Sequence, residues 1–240
     1  MQKLPKKRTH DIFYLDEKQL DNPKKSFQFM VNEIKKNLDP QNNNLLLLDI
    51  GCATGEFIKY ASTIMPNIHF EGMDIEKKLI SKAQSINPNS NFYVSDIGNS
   101  NFSLKKKYDI ITVSGVLQIL ENIDTFFKNI ISLLNENGQC LIFGLFNPEP
   151  VNVYVTAERT DIKFEHLETG WNIFSIDHIS KYLDKLNLRY EWKEWNIDIP
   201  VEKNDRDPFR SWTEQKIEKG YVVVNGLQII HRFYLLKIFT

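Results

Sequence analysis

Residues 45–57 read LLLLDIGCATGEF, and the fold follows from how this stretch is parsed. The apolar run, broken only by Asp49, fits a strand buried on both faces of a parallel sheet. Gly51 and Gly55 then mark a tight turn, where absent side chains let the backbone bend and lie against a ligand. Helical spacing follows at Phe57, Ile58, Tyr60, Ala61 and Ile64 and stops at Pro66. A dinucleotide site wants G-x-G-x-x-G with its amides aimed at a pyrophosphate. Here the glycines fall at 51 and 55, Ala53 stands between them, and the carboxylate of Asp49 precedes them. A carboxylate there repels phosphate.

Outward from this stretch the same rhythm repeats. Before it, Phe27, Met30, Val31, Ile34 and Leu38 fall at helical spacing, and the turn formers of residues 39–44 end that helix. After it come strands at residues 68–75, ending at Asp74, then at 91–94, 108–114 and 139–146. Between them Leu79, Ile80 and Ala83 mark a helix, and residues 123–134 form another, closed by the turn 135–138 with Gly138 at its stop. Five strands alternating with helices predict an α/β fold with a doubly wound, mostly parallel sheet. The last third adds a helix capped by Ser175, then strands at 188–197 and 227–239, with a short strand-like run at 222–224 between them. The expectation is seven strands with an antiparallel last one, in a single domain over 1–240. Its parts are a helical cap at 1–44, a core at 45–146 and a second half at 147–240.

Composition bounds the function. With 30 basic and 31 acidic residues the net charge is -1, and the basic residues are spread along the chain, so nucleic acid is not an expected partner. Two cysteines, Cys52 and Cys140, are too few for a disulfide framework or zinc site. No apolar run approaches the roughly 20 residues that span a bilayer, and the basic N-terminus lacks a following apolar segment. The expectation is a cytoplasmic protein without membrane partners or a metal.

Residues 47–55, LLDIGCATG, resemble the first motif of class I S-adenosylmethionine-dependent methyltransferases, an acid followed by alternating glycines. The strand and helix rhythm extends that resemblance from about residue 45 to 146. It implies a Rossmann-like sheet and S-adenosyl-L-methionine as cofactor, whose ammonium and sulfonium suit the charge of Asp49. Asp49, Gly51, Cys52, Ala53 and Gly55 would line the cofactor, with Ala53 a tolerated variation and Cys52 a small packed side chain. Asp74 with Ile75 ends the second strand, where a carboxylate can accept hydrogen bonds from both ribose hydroxyls. Asp96 and Ile97 follow the third strand and would hold the adenine, while Ser114 ends the fourth.

The acceptor side is less defined. By resemblance Gln118 lies beside the methyl group and can orient an acceptor. Base-methylating relatives carry an Asn/Asp-Pro-Pro-aromatic motif after the fourth strand, which this chain lacks there. An oxygen acceptor needs a base, usually histidine or a carboxylate. His69, His178 and His231 read as structural or surface residues. His166, on the connection after the fifth strand, is the preferred base and His10 the reserve. Trp171 shares that connection. Residues 198–227 form an insertion too long for a plain hairpin, a flap in which Arg206, Arg210 and Trp212 suit phosphate or carboxylate and a ring face. The expected function is methylation of a small polar metabolite, such as a sugar or nucleotide-linked precursor. A protein or RNA methyltransferase and a non-catalytic cofactor-binding module are the alternatives.

Overall fold

In the computed structural model, the described residues are 6–7, 10–15, 22–38, 44–160, 167–204, 209–215 and 220–240. The main sheet has seven principal strands: β1 (Leu45–Ile50), β2 (Ile68–Asp74), β3 (Asn91–Val94), β4 (Tyr108–Ser114), β5 (Leu134–Asn147), β6 (Arg189–Trp195) and β7 (Phe233–Phe239). Their order across the sheet is β6-β7-β5-β4-β1-β2-β3, with the two-residue strand Phe174–Ser175 paired to the end of β5. Only β7 is antiparallel to its neighbours, β5 and β6. The expected doubly wound sheet with an antiparallel last strand is the observed one.

Neighbouring residues of β1 serve opposite faces, as the period of two demands. Leu48 and Ile50 join Phe126, Phe127 and Ile130 of α4 (Ile123–Leu133) and Ile179 and Leu183 of α5 (Ile176–Lys185) in one apolar layer. Leu47 joins Met30, Val31 and Ile34 of α1 (Lys25–Lys35) and Phe57, Ile58 and Ala61 of α2 (Glu56–Ile64) in the other. Both faces are covered, so the run in β1 is apolar rather than alternating. Helix α3 (Lys77–Ile86) completes the second layer through Ile80. Asn122 caps α4, accepting from the amides of Asp124 and Thr125, and Ser175 caps α5 as expected, accepting from the amide of His178.

Two strand boundaries differ from expectation by more than two residues. β5 begins at Leu134, because residues 135–138 bulge within the strand rather than preceding it: Tyr108 pairs with Leu134, then Ile110 with Gln139. β7 begins at Phe233, because the side chain of Asn225 accepts from the amide of Leu227 and Gln228 takes a φ of 58°. That turn separates β7 from the strand Tyr221–Val224, which pairs instead with Trp212–Gln215 in a hairpin of the flap. A third, small sheet joins Lys6–Lys7, parallel, to Leu167–Thr169, which also pairs antiparallel with Thr156–Ala157.

Candidate active site

The carboxyl ends of β1 to β4 open onto a cavity of about 760 Å³, the place where open α/β sheets bind ligands. The loop after β1 is fastened to β2. The amides of Gly51 and Cys52 both donate to the carbonyl of Met73, at 2.7 and 3.0 Å, and the amide of Ala53 donates to Asp74 Oδ2 at 2.9 Å. Gly51 has φ 71° and a Cβ there would fall 2.1 Å from Val116 Cγ2, so glycine is required by both backbone and space. Gly55, at φ 75°, sits at the start of α2, where a Cβ would meet Asn87 Nδ2 at 2.7 Å.

Of the ten residues expected at the cofactor, nine line this cavity: Asp49, Gly51, Cys52, Ala53, Asp74, Ile75, Asp96, Ile97 and Ser114. Gly55 instead shapes the turn behind them. Asp49 is buried beside Thr112, its register partner on β4, whose hydroxyl donates to Asp49 Oδ1 at 2.8 Å. Burial pushes the Asp49 carboxyl up to about 7, the Thr112 hydrogen bond opposes that, and the charge of Asp74 adds to it. Burial also raises Asp74, against the amides of Glu76 and Ala53 that its two oxygens accept from. The Cys52 thiol is driven up by burial and by these two carboxylates, which keeps it protonated and inert.

Several wall residues escaped the sequence reading. Asp11 and Tyr14 come from the 3-10 turn His10–Leu15, which closes over the cavity as a lid. The ammonium of Lys82 on α3 holds this lid through the carbonyl of Leu15. Thr112, which holds Asp49 from β4 without lining the cavity, was also missed, since nothing in the strand YDIITVS singles it out. With Asp49, Asp74 and Asp96, the acids Asp11, Glu56 and Glu76 make a wall of six carboxylates against two lysines, Lys24 and Lys78. Such a wall suits a cationic ligand. At the opposite side Gly115, with φ 74°, lines the cavity, and a Cβ there would meet nothing within 4 Å. The space beside the end of β4 is therefore open.

The acceptor-side residues are placed less uniformly. Gln118 is buried outside the cavity wall, its Nε2 donating to the carbonyl of Leu145 at 3.0 Å while Oε1 has no partner. Trp171 stacks on Phe209 of the flap at 4.7 Å, and Trp212 is buried within the flap, donating to Glu214. Arg210 places its guanidinium over the ring of Tyr14. His166 and Arg206 lie outside the described residues. His10 starts the lid turn, and its side chain lies outside them too. Of the other histidines, His69 is exposed and His178 meets Asn152. His231 is buried against Ser211, where burial pulls it down to about 4. Among the described side chains, no histidine lines the cavity.

A family model described as a methyltransferase domain matches residues 23–192. The chain belongs to the class I S-adenosylmethionine-dependent methyltransferases. The methyltransferase is 28% identical over 196 residues to protein 235L of Invertebrate iridescent virus 6, covering 79% of this chain and 71% of that one. It is 27% identical over 146 residues to malonyl-[acyl-carrier protein] O-methyltransferase 1 of Ilyobacter polytropus, which covers 60% of this chain and 53% of that protein. The match thus spans about half the length of that relative. The structure of DhpI in complex with S-adenosylhomocysteine superposes with a TM-score of 0.56 at 11% identity, covering 95% of this chain and 92% of that one, a likeness of fold. S-adenosylmethionine is the cofactor of this methyltransferase, and the acid wall and fastened glycine loop fit it. No helix among the described residues is long and apolar enough to cross a membrane.

Proposed function

We propose that the methyltransferase methylates an oxygen atom of a small polar metabolite. The observation that carries this reading is the open space beside Gly115, which adjoins the acid wall within one cavity and would take an acceptor next to the cofactor. The printed activity of the Ilyobacter relative, an O-methyltransferase, supports oxygen over nitrogen.

The cofactor-side roles follow from charge and position. Asp49 would face the ammonium, and Asp74 would accept from the ribose hydroxyls through the lone pairs that Ala53 and Glu76 leave available. Asp96 would take the adenine amino group between the apolar side chains of Ile75 and Ile97. S-adenosylmethionine would supply the methyl group: an oxygen–carbon bond would form as the carbon–sulfur bond breaks, the electron pair would stay on sulfur as the thioether, and a proton on the acceptor, where there is one, would pass to a base or to solvent. The protein's part would be alignment and exclusion of water: the lid turn lines the cavity, and Val116 and Ile119 would bound the acceptor side. A carboxylate acceptor would arrive already deprotonated; an alcohol would need a base, and His166 and His10 are the candidates for that role.

The test is calorimetry with S-adenosylhomocysteine and with NAD, followed by a transfer assay on small polar acceptors, proteins and RNA. Binding of S-adenosylhomocysteine alone and turnover of a small acceptor are expected. Turnover confined to protein or RNA would overturn the acceptor assignment. Asp74→Ala should weaken cofactor binding by about 1–3 kcal/mol, and an unchanged dissociation constant would move the ribose elsewhere.

A further inference from the structure

Among the described residues, the chain beyond Leu120 reaches the cavity wall at one point, Thr169; every other wall residue lies at or before Leu120. Thr169 is delivered there by a segment fixed on both sides. Ahead of it, the short strand Leu167–Thr169 pairs with Lys6–Lys7 and with Thr156–Ala157. Behind it, Asn172 is 2% exposed and bonded at three points. Its amide donates to the carbonyl of Gln118 at 2.9 Å, its Nδ2 donates to that of Leu120 at 3.0 Å, and its Oδ1 accepts from the amide of Val155 at 2.9 Å. Ile173 then exchanges both backbone hydrogen bonds with Val153, each at 2.9 Å. Between these anchors Gly170 takes φ 123° and Trp171 φ 59°. A tryptophan in the left-handed region is disfavoured by its own Cβ and persists only where its surroundings over-determine it. The three bonds of Asn172 and the stack of Trp171 on Phe209 supply that constraint.

We propose that Thr169 is an acceptor-binding residue whose hydroxyl meets an oxygen of the acceptor, and that Asn172 is the positioning residue that holds it there. The proposal rests on the small-acceptor reading of the same cavity. The carbonyls that Asn172 engages, those of Gln118 and Leu120, flank Ile119 at the end of the 3-10 turn Leu117–Ile119. Thr169 and the acceptor-side wall are thus joined through one buried side chain and keep a fixed spacing. Val116, Ile119 and Leu120 of that wall are apolar, and Thr169 adds a hydroxyl, which donates to a carbonyl or carboxylate and accepts from an alcohol. The acceptor this fits lays an apolar carbon skeleton along the turn and points an oxygen at Thr169. The cofactor has no need of that contact, since its ammonium, ribose hydroxyls and adenine amino group would be met by Asp49, Asp74 and Asp96. A turn that holds a tryptophan against its backbone preference has its position as its product, and here that position is the place of Thr169 in the wall.

Two measurements test this. In the first, Thr169→Cys is treated with methyl methanethiosulfonate, with wild type as the background for Cys52 and Cys140. The new thiol should react both without and with saturating S-adenosylhomocysteine, whereas the thiol of Ile75→Cys, on the cofactor side, should be shielded by it. In the second, Thr169→Val is compared with wild type on the small acceptor turned over in the transfer assay. The acceptor KM should rise by about fivefold or more, while the dissociation constant of S-adenosylhomocysteine stays within about twofold. Asn172→Leu should raise the acceptor KM likewise, and Asn172→Gln should restore part of it. Three results overturn the assignment: the thiol of Thr169→Cys never reacts; S-adenosylhomocysteine shields it, which gives Thr169 to the cofactor; or Thr169→Val leaves the acceptor KM unchanged. A wild-type protein that binds no S-adenosylhomocysteine, or turns over no small acceptor, overturns the proposed function instead.

Discussion

Asp49 is a carboxylate in a place where an isolated charge is costly. Its ordinary value is 3.8 and its buried value is about 7, so between those limits the unliganded fold binds a proton that the unfolded chain does not. This contribution to stability is fully present below pH 4 and is lost as pH rises through 7. A ligand ammonium reverses the preference by favouring the ionised acid. Affinity for S-adenosylmethionine should therefore rise by up to about tenfold per pH unit from 5.5 to 7, below the α-amino group's own titration near 7.7–8.0. Calorimetry across that range checks it, and Asp49→Asn should flatten the profile. The acids were legible because strand ends can be located from apolar runs, and Asp49, Asp74 and Asp96 each sit at one. Ala53 was less legible. It reads as a glycine replaced at the expense of one methyl group, yet it holds φ 45°, in the left-handed region that disfavours a Cβ by about 1–2 kcal/mol. Only the path of the turn reveals that. Gln118, expected beside the acceptor, turns to Leu145, a choice set by the empty space over Gly144 across the sheet.

Helix α1 shows what periodicity conveys and what it omits. The apolar spacing of Met30, Val31 and Ile34 marks the buried face, and the helix was read from it. Glu33, also buried, gives no such signal, because its partners lie far along the chain: Lys193 on β6 at 2.6 Å and Lys237 on β7 at 2.7 Å, with Lys36 one turn on. Burial alone would raise its carboxyl, but the hydrogen bonds of Lys193, Lys237 and Lys36 prevail and hold it at about 2. Its stabilising effect is therefore present above the ordinary 4.5 and lost as pH falls through 2. Glu33→Gln leaves the ammonium of Lys237 buried without its carboxylate and should cost about 3–5 kcal/mol. Urea unfolding at pH 7 measures this, and a loss below 1 kcal/mol would show that the strand lysines find other partners. The boundaries of β1, β3 and β4 were read correctly because each ends at a turn former. The bulge in β5 and the late start of β7 were not, since both depend on how distant strands fall into register.

Across the whole molecule, the lid turn, the connection after β5 and the flap meet at residues 209 and 210. Phe209 stacks on Trp171, which itself holds φ 59°, while Arg210 covers Tyr14. Phe209→Ala should loosen the flap alone. Hydrogen exchange should quicken for the amides of Tyr221–Val224 and stay unchanged in β4 and β5, and equal acceleration everywhere would mean that the flap is part of the core. The position of β7 carries a different consequence. It is the last strand in chain order, yet it lies between β5 and β6 and pairs with both along seven residues. During synthesis the glycine loop and the acids around it emerge long before the strand that completes the sheet. Until residues 233–239 leave the ribosome, β5 presents a row of unpaired amides and carbonyls and β6 has no neighbour to dock against. The nascent chain thus passes through a stage with its ligand-binding half in place and a bare, adhesive edge, the stage at which a chaperone would find it.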